Sequence, residues 1–112
     1  MPGFRLGRSF LMPNGNVLLK RDFEVSKDEA LYKVEAVAVF ETHGFNLTEV
    51  GGESGMYHFS FTFRGQFAGF WQPDKELYSR DQAKAAAEQL FAFGSVRTYV
   101  ENQIPVWVAL GL

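Results

Sequence analysis

The sequence predicts an α+β domain in which a mostly antiparallel sheet carries two helices on one of its faces. Three patterns lead to this prediction: hairpin signals at residues 4–25 and 56–71, a capping box that begins at Ser26, and an alanine-rich segment after Ser79. Because strands and helices do not alternate regularly, this arrangement is favoured over a parallel α/β sheet. The predicted order is ββα-βββ-α-β, with one further strand-like segment at the end.

Composition limits the class of protein. The chain has 112 residues, of which 46% are hydrophobic and 12 are phenylalanine, so residues 1–112 predict a single domain with an aromatic core. The absence of cysteine excludes disulfides, a thiol nucleophile and cysteine-bound zinc. The net charge of −2 does not provide the bulk attraction to phosphates that is typical of nucleic-acid-binding proteins.

The sequence shows no targeting or membrane signal. Its first residues lack the long apolar run of a signal peptide, and no segment approaches the roughly 20 apolar residues that span a bilayer. We therefore expect a small soluble domain that is located in the cytoplasm and does not bind a membrane.

The N-terminal segment, residues 1–25, predicts a β-hairpin around Asn14-Gly15, because Asn-Gly is a strong signal for a type I′ turn. In the resulting register the apolar side chains share one face of the hairpin and the polar ones share the other. Arg8 and Arg21 break this pattern, since they would face each other on the apolar side. Either a local irregularity moves them to the rim, or they hold an anion between them.

We expect residues 26–94 to form the core of the domain and to begin with a helix. Ser26 and Glu29 match the capping box, aliphatic residues follow at helical spacing, and Gly44 is the expected residue after the helix end. His43 would lie in the last turn, where a cation suits the helix dipole. A short strand is expected at residues 46–50.

A second hairpin is predicted at residues 56–71. Phenylalanine occupies every second position from 59 to 63, and the turn lies at Arg64-Gly65-Gln66. With a two- or four-residue loop, odd positions pair with even ones, whereas a three-residue loop would reverse the faces of the second strand. The first of these registers places Phe67 and Trp71 beside Arg64 on the face opposite the phenylalanines.

The same register places Ala68 and Phe70 on the face of the phenylalanines. The second face of the hairpin is then either covered by another part of the chain or left as an exposed apolar patch. Such a patch usually marks a partner site or a dimer interface.

The last third of the chain predicts a helix and an extension. Ser79 is the expected N-cap of an alanine-rich helix that ends at Gly94. Residues 95–112 contain two segments rich in β-branched and aromatic side chains, and we expect both to be strand-like.

Two motifs in residues 26–94 support a family resemblance. The segment SRDQAKAAAEQL is similar to the signature Ser-Lys-Lys-x-Ala-Lys-x-x-Ala, and ESG followed by His58 is similar to a loop that enters the RNA minor groove. With its predicted helix–three strands–helix order, this part of the chain resembles the double-stranded-RNA-binding domain family. The resemblance implies that Arg80 and Lys84 contact phosphates across the major groove, while His58 lies in the minor groove.

Three functions stay open. No catalytic, cofactor or metal-binding pattern stands out, so we favour a non-catalytic module without cofactor or metal, while an enzyme is not excluded. The leading prediction is a module that binds a protein, or a second copy of itself, through Phe67, Trp71 and Arg64. The alternatives are a degenerate duplex-RNA-binding domain and a protein that binds a small anion between Arg8 and Arg21.

Overall fold

The chain forms a four-stranded antiparallel sheet followed by two helices. The computed structural model describes residues 16–46 and 52–112. Its elements are β1 (Val17–Lys27), β2 (Ala30–Asn46), β3 (Gly52–Phe63), β4 (Gln66–Trp71), α1 (Arg80–Ala92) and α2 (Ser95–Ala109). The strands lie side by side in chain order, and both helices contribute to one core with the sheet. The predicted α+β class, with an antiparallel sheet and two helices on one face, is confirmed.

Residues 26–44 belong to the β1–β2 hairpin, so the prediction of a helix there was wrong. Lys27 pairs with Ala30, which leaves Asp28-Glu29 as a two-residue turn with φ angles of 52° and 64°. Positive φ at both central residues is the geometry of a type I′ turn, whose twist matches that of antiparallel strands. Ser26 therefore lies in β1 instead of capping a helix, and His43 lies exposed in β2.

The alternation of side chains explains why β2 is a strand. Val34, Ala36, Ala38 and Phe40 are at most 2% exposed, whereas Lys33 is exposed on the other side. Burial at every second residue is the period of a strand, and a helix would carry these four side chains around its circumference. The buried face of the sheet, called here the inner face, is the one that the helices cover.

Aromatic side chains of β3 form the centre of the core. Phe59, Phe61 and Phe63 are fully buried on the inner face, as their alternation predicts. The ring of Phe61 stacks on Tyr99 of α2, with 5.2 Å between centroids, and Trp107 of α2 lies 5.3 Å from Phe63. Burial of one such ring stabilises the fold by about 1.5–3 kcal/mol.

Helix α1 confirms the helix predicted after Ser79. The Ser79 hydroxyl accepts from the backbone N–H of Gln82, whose side chain accepts from the Ser79 N–H, so the capping box is complete. Gly94 lies after the end of α1, as predicted, and has a φ angle of 82°, a conformation that glycine adopts without a Cβ clash. Ala83 and Ala87 are fully buried and allow α1 to approach the sheet closely.

Residues 95–109 form α2, so the prediction of two strand-like segments was wrong. The buried residues of this helix are Val96, Val100, Ile104 and Trp107, which follow one another at spacings of four, four and three. That spacing forms a stripe along one side of a helix, and the stripe packs on the phenylalanines of β3. Tertiary packing thus overrides both the strand propensity of these residues and the presence of Pro105 inside the helix.

Some predicted features lie outside the described residues. These are the first strand of the N-terminal hairpin with Arg8, and the segment 47–50 of the short strand expected after Gly44. Within the described part of the chain, neither helix has the length and apolar character that crossing a bilayer requires.

The connection between β4 and α1 is fastened to β3. Gly55 and Tyr78 exchange two backbone hydrogen bonds of 2.9 and 2.8 Å. The Tyr78 hydroxyl donates to the Asp74 carboxylate at 2.7 Å, and its ring lies edge-on to Tyr57, with 5.4 Å between centroids. These contacts hold the N-terminus of α1 at the sheet.

Substitution of Gly55 tests how closely β2 and β3 pack. A Cβ at this position would overlap the carbonyl oxygen of Glu41 and lie 2.8 Å from the Phe40 ring. We expect Gly55→Ala to lower the free energy of unfolding by about 1–3 kcal/mol, the usual cost of overpacking. Urea denaturation measures this change, with Ser54→Ala as the neighbouring control, expected to stay within about 0.5 kcal/mol. A Gly55→Ala protein as stable as the native chain would contradict the packing described.

The tyrosine cluster predicts a loss of stability in alkali. Burial, with Asp74 and Glu76 nearby, raises the pKa of Tyr57 from 10.0 to about 12. The hydrogen bond to Asp74, followed by burial, raises the pKa of Tyr78 as well. Because these folded-state pKa values exceed those of the unfolded chain, their stabilising effect is complete below about pH 10 and is lost as pH rises through the folded values.

Urea denaturation between pH 8 and pH 12 measures this effect. Tyr78→Phe starts from a lower stability, because it lacks the bond to Asp74, but should lose less above about pH 10. Equal losses in the native chain and the variant would show that Tyr78 does not contribute.

Candidate functional site

Two phenylalanines stand exposed on the face of the sheet opposite the helices, which we call the outer face. Phe67 is paired with Thr62 and Phe70 with Ser60, and the side chains of Thr62 and Ser60 point away from the core. Phe67 is 57% exposed and Phe70 is 62% exposed, with their ring centroids 5.1 Å apart. These two residues, the outer aromatic pair, form one apolar patch on β4.

A β-bulge decides which residues of β4 face outward. Phe63 pairs with Gln66 across the two-residue turn Arg64-Gly65, so the predicted register is correct beside the turn and Phe67 faces outward. Ala68 is then an extra residue, because the neighbouring pairs are Thr62 with Phe67 and Phe61 with Gly69. Beyond the bulge the faces are exchanged relative to the prediction.

The prediction that Trp71 shares the face of Phe67 was therefore wrong. Trp71 faces the core, where its ring stacks on Tyr99 at 4.8 Å and on Phe59 at 5.6 Å between centroids. Phe70, expected among the core phenylalanines, faces outward in its place. Sequence reasoning missed Phe70 because a bulge leaves only a weak signal, here the glycine at position 69 with φ 133°.

Arg64 also lies away from the outer aromatic pair. Its guanidinium is 5.1 Å from the ring centroids of both Tyr32 and Phe63, which belong to the inner face. Its Nη1 donates to the carbonyl oxygen of Leu112 at 3.1 Å. Arg64 thus links the turn of the second hairpin to the residues after α2, and its predicted position beside Phe67 was wrong.

An ionisable pair adjoins the outer aromatic pair. His58 is 8% exposed and its ring lies edge-on to Phe70, with 5.0 Å between centroids. Its Nδ1 is 3.1 Å from Oε1 of Glu41, whose side chain is 61% exposed. The sequence did not predict that Glu41 would pair with His58, because a helix was expected there; strand alternation in β2 would have placed Glu41 on the outer face.

Residues proposed to contact RNA are divided between the two sides of the sheet. Lys84 is exposed on α1, and the guanidinium of Arg80 lies 5.1 Å from the centroid of the buried Phe40 ring on the inner side. Arg80 is also 3.9 Å from Glu53. His58 lies on the outer face, so the structure does not bring the three residues onto one surface. The first helix implied by the family resemblance is a strand.

The predicted anion site is described only in part. Arg21 lies on the inner face of β1, where its guanidinium is 5.5 Å from the ring centroid of Phe91 and donates to the Lys20 carbonyl at 2.8 Å. Arg8 lies outside the described residues. Across residues 16–46 and 52–112, no group of three or more His, Cys, Asp or Glu side chains could hold a metal ion.

The surface of the described chain carries depressions, three of which lie as follows. A trough of about 390 Å³ crosses β1 and β2 among mixed charges, and a groove of about 430 Å³ lies beside Trp71 and Phe93 on the helix side. The third, of about 200 Å³, is lined by Glu41, His58, Phe70 and Gln72. Only the third combines an exposed ring of the outer aromatic pair with an ionisable pair.

Comparisons with protein-family models, with curated proteins and with solved structures found no match for this chain. The functional argument therefore depends on the geometry of the outer face. That geometry comprises two neighbouring exposed aromatic rings and, next to them, a histidine–carboxylate pair with a small pocket.

Substitutions at two adjacent residues of β4 test the bulge. Trp71→Ala removes an indole side chain that stacks on Tyr99 in the core, and it should lower the free energy of unfolding by roughly 2–4 kcal/mol. Phe70→Ser on the outer face should lower it by about 1 kcal/mol or less. Thermal and urea denaturation measure both. Equal costs, or a larger cost for Phe70→Ser, would contradict the assignment of Trp71 to the inner face and Phe70 to the outer face.

Proposed function

We propose that the protein is a non-catalytic interaction module that binds another protein, or a second copy of itself, through the outer aromatic pair. The observation that carries this proposal is the exposure of two adjacent phenylalanine rings, 57% and 62%, on one face of a well-packed sheet. Leaving these rings in water gives up the stabilisation that their burial would provide, and a contiguous exposed apolar patch usually marks an interaction site.

The surroundings of the outer aromatic pair support the same reading. Ser60, Thr62 and Gln72 border the two rings with uncharged polar groups. Protein interfaces typically have an apolar centre rich in aromatic residues and a polar rim that stays in contact with water. Charged residues of the outer face include Glu41 beside His58 and, farther across the sheet, the ion pair of Lys20 with Glu35 at 3.1 Å.

Neither alternative function gains support from the geometry. Duplex RNA would have to contact His58 and Lys84 from opposite sides of the sheet, and Arg21 already contacts Phe91 and a backbone carbonyl. A protein partner needs only the surface that β4 presents. The dimeric state and the cytoplasmic location stay predictions of the sequence.

The double substitution Phe67→Ser with Phe70→Ser tests the proposal. Truncation of aromatic anchors commonly costs 2 kcal/mol or more of binding energy, so association should weaken by roughly 30-fold or more. Sedimentation equilibrium over a range of concentrations measures self-association. Circular dichroism shows whether the fold is intact.

Leu77→Ser is the matched control, because Leu77 is also 57% exposed but lies in the connection before α1. For a different protein partner, a photo-crosslinking residue at position 62, which lies opposite Phe67 on the outer face, should form a discrete adduct that disappears in the double variant. A chain that is monomeric at all concentrations and forms no adduct dependent on the two phenylalanines overturns the proposal.

A further inference from the structure

The small pocket beside Phe70 has the size of one side chain. Its described lining is Glu41, His58, Phe70 and Gln72, and its volume is about 200 Å³. Sites for drug-sized ligands usually enclose about 300–1,000 Å³. The pocket is therefore too small for a typical metabolite, whereas the end of one long side chain fits.

The carboxylate of Glu41 gives the pocket a negative charge. Among the described residues, Glu41 forms one hydrogen bond, in which its Oε1 is the partner of His58 Nδ1. When the imidazole is neutral, this bond orients the carboxylate and leaves its charge in place, so Oε2 can accept from a second donor. The Glu41 side chain is 61% exposed, which makes it accessible to a partner.

The other walls of the pocket also favour a cation. Phe70 is 62% exposed, and the face of an aromatic ring attracts ammonium and guanidinium groups. The Gln72 side chain uses its Nε2 toward the Met56 sulfur at 3.3 Å, which leaves its carbonyl oxygen as an acceptor. A metal ion is a poor candidate, because the described residues provide no third ligand beside His58 and Glu41.

We propose that this pocket receives a lysine or arginine side chain of the protein partner. The partner would then present a cation next to the apolar residues that cover the outer aromatic pair. This inference rests on the proposed function, since it assumes that the partner is a protein. The selectivity for a cation belongs to the pocket itself and can be measured without the partner.

Among the described residues, Glu41 provides the charge at this pocket. The neighbours of His58 on the outer face are Glu41 and Val39 from β2, Met56 and Ser60 along β3, and Phe70 and Gln72 from β4. Glu41 is the ionisable group among them.

The test uses the full chain and two amino-acid probes whose termini are blocked and uncharged. These are Nα-acetyl-lysine methylamide and its apolar counterpart Nα-acetyl-norleucine methylamide. Amide shifts of residues 41, 58, 70 and 72 are followed by NMR during titration. We expect saturable shifts with the lysine probe, at least threefold weaker binding of the norleucine probe, and a similar loss in Glu41→Gln.

Equal binding of the two probes, or unchanged binding of the lysine probe by Glu41→Gln, overturns the cation pocket. A second outcome is that the lysine probe fails to bind while the Phe67 and Phe70 substitutions still abolish association. That result overturns the cation pocket but leaves the interaction surface standing. Selective lysine binding by a chain that forms no protein complex supports the selectivity of the pocket and overturns the proposed function.

Discussion

The packing of α2 across the phenylalanines of β3 is the contact on which the rest of the structure depends. Phe61 lies between Tyr99 and Trp107, and Phe63 lies against Trp107, so two rings of the helix cover two rings of the strand. Without this cover the inner face would be an open aromatic surface. Because the inner face is buried in this way, the outer face is the one on which Phe67 and Phe70 stay exposed.

The same packing fixes the position of the candidate site. Tyr99 stacks on Trp71 and so anchors the end of β4 to α2. The bulge at Ala68 lies between this anchor and the turn, and it turns Phe70 outward next to His58. The exposed rings are thus held by a rigid sheet and a buried tryptophan, and a partner would meet a preorganised surface whose ordering costs little binding energy.

The sequence predicted those elements whose local signals agreed with their packing. The hairpin around Arg64-Gly65 and the helix capped by Ser79 followed from alternation, turn chemistry and a capping box. The helix predicted after Ser26 was wrong because Asp28-Glu29 is an unusual pair for a type I′ turn. The residues from Ser26 to Glu29 also match a capping box. The last helix was not predicted because its valines favour strands in isolation, while burial of Val96 and Val100 in the core favours a helix. The bulge depends on pairing between strands, which local sequence does not specify, so half of the candidate site was assigned to the wrong face.

The extra residue in β4 has a consequence for how this chain tolerates insertions and deletions. Loss of Ala68 would restore a regular ladder in which the residues after it keep their present partners, so that Phe70 would still lie opposite Ser60 on the outer face and Trp71 opposite Phe59 on the inner face. A single-codon deletion at the bulge would thereby leave both aromatic side chains on their present faces. Related chains that lack this one residue should therefore present the same surface, and strand alternation alone would assign its faces correctly.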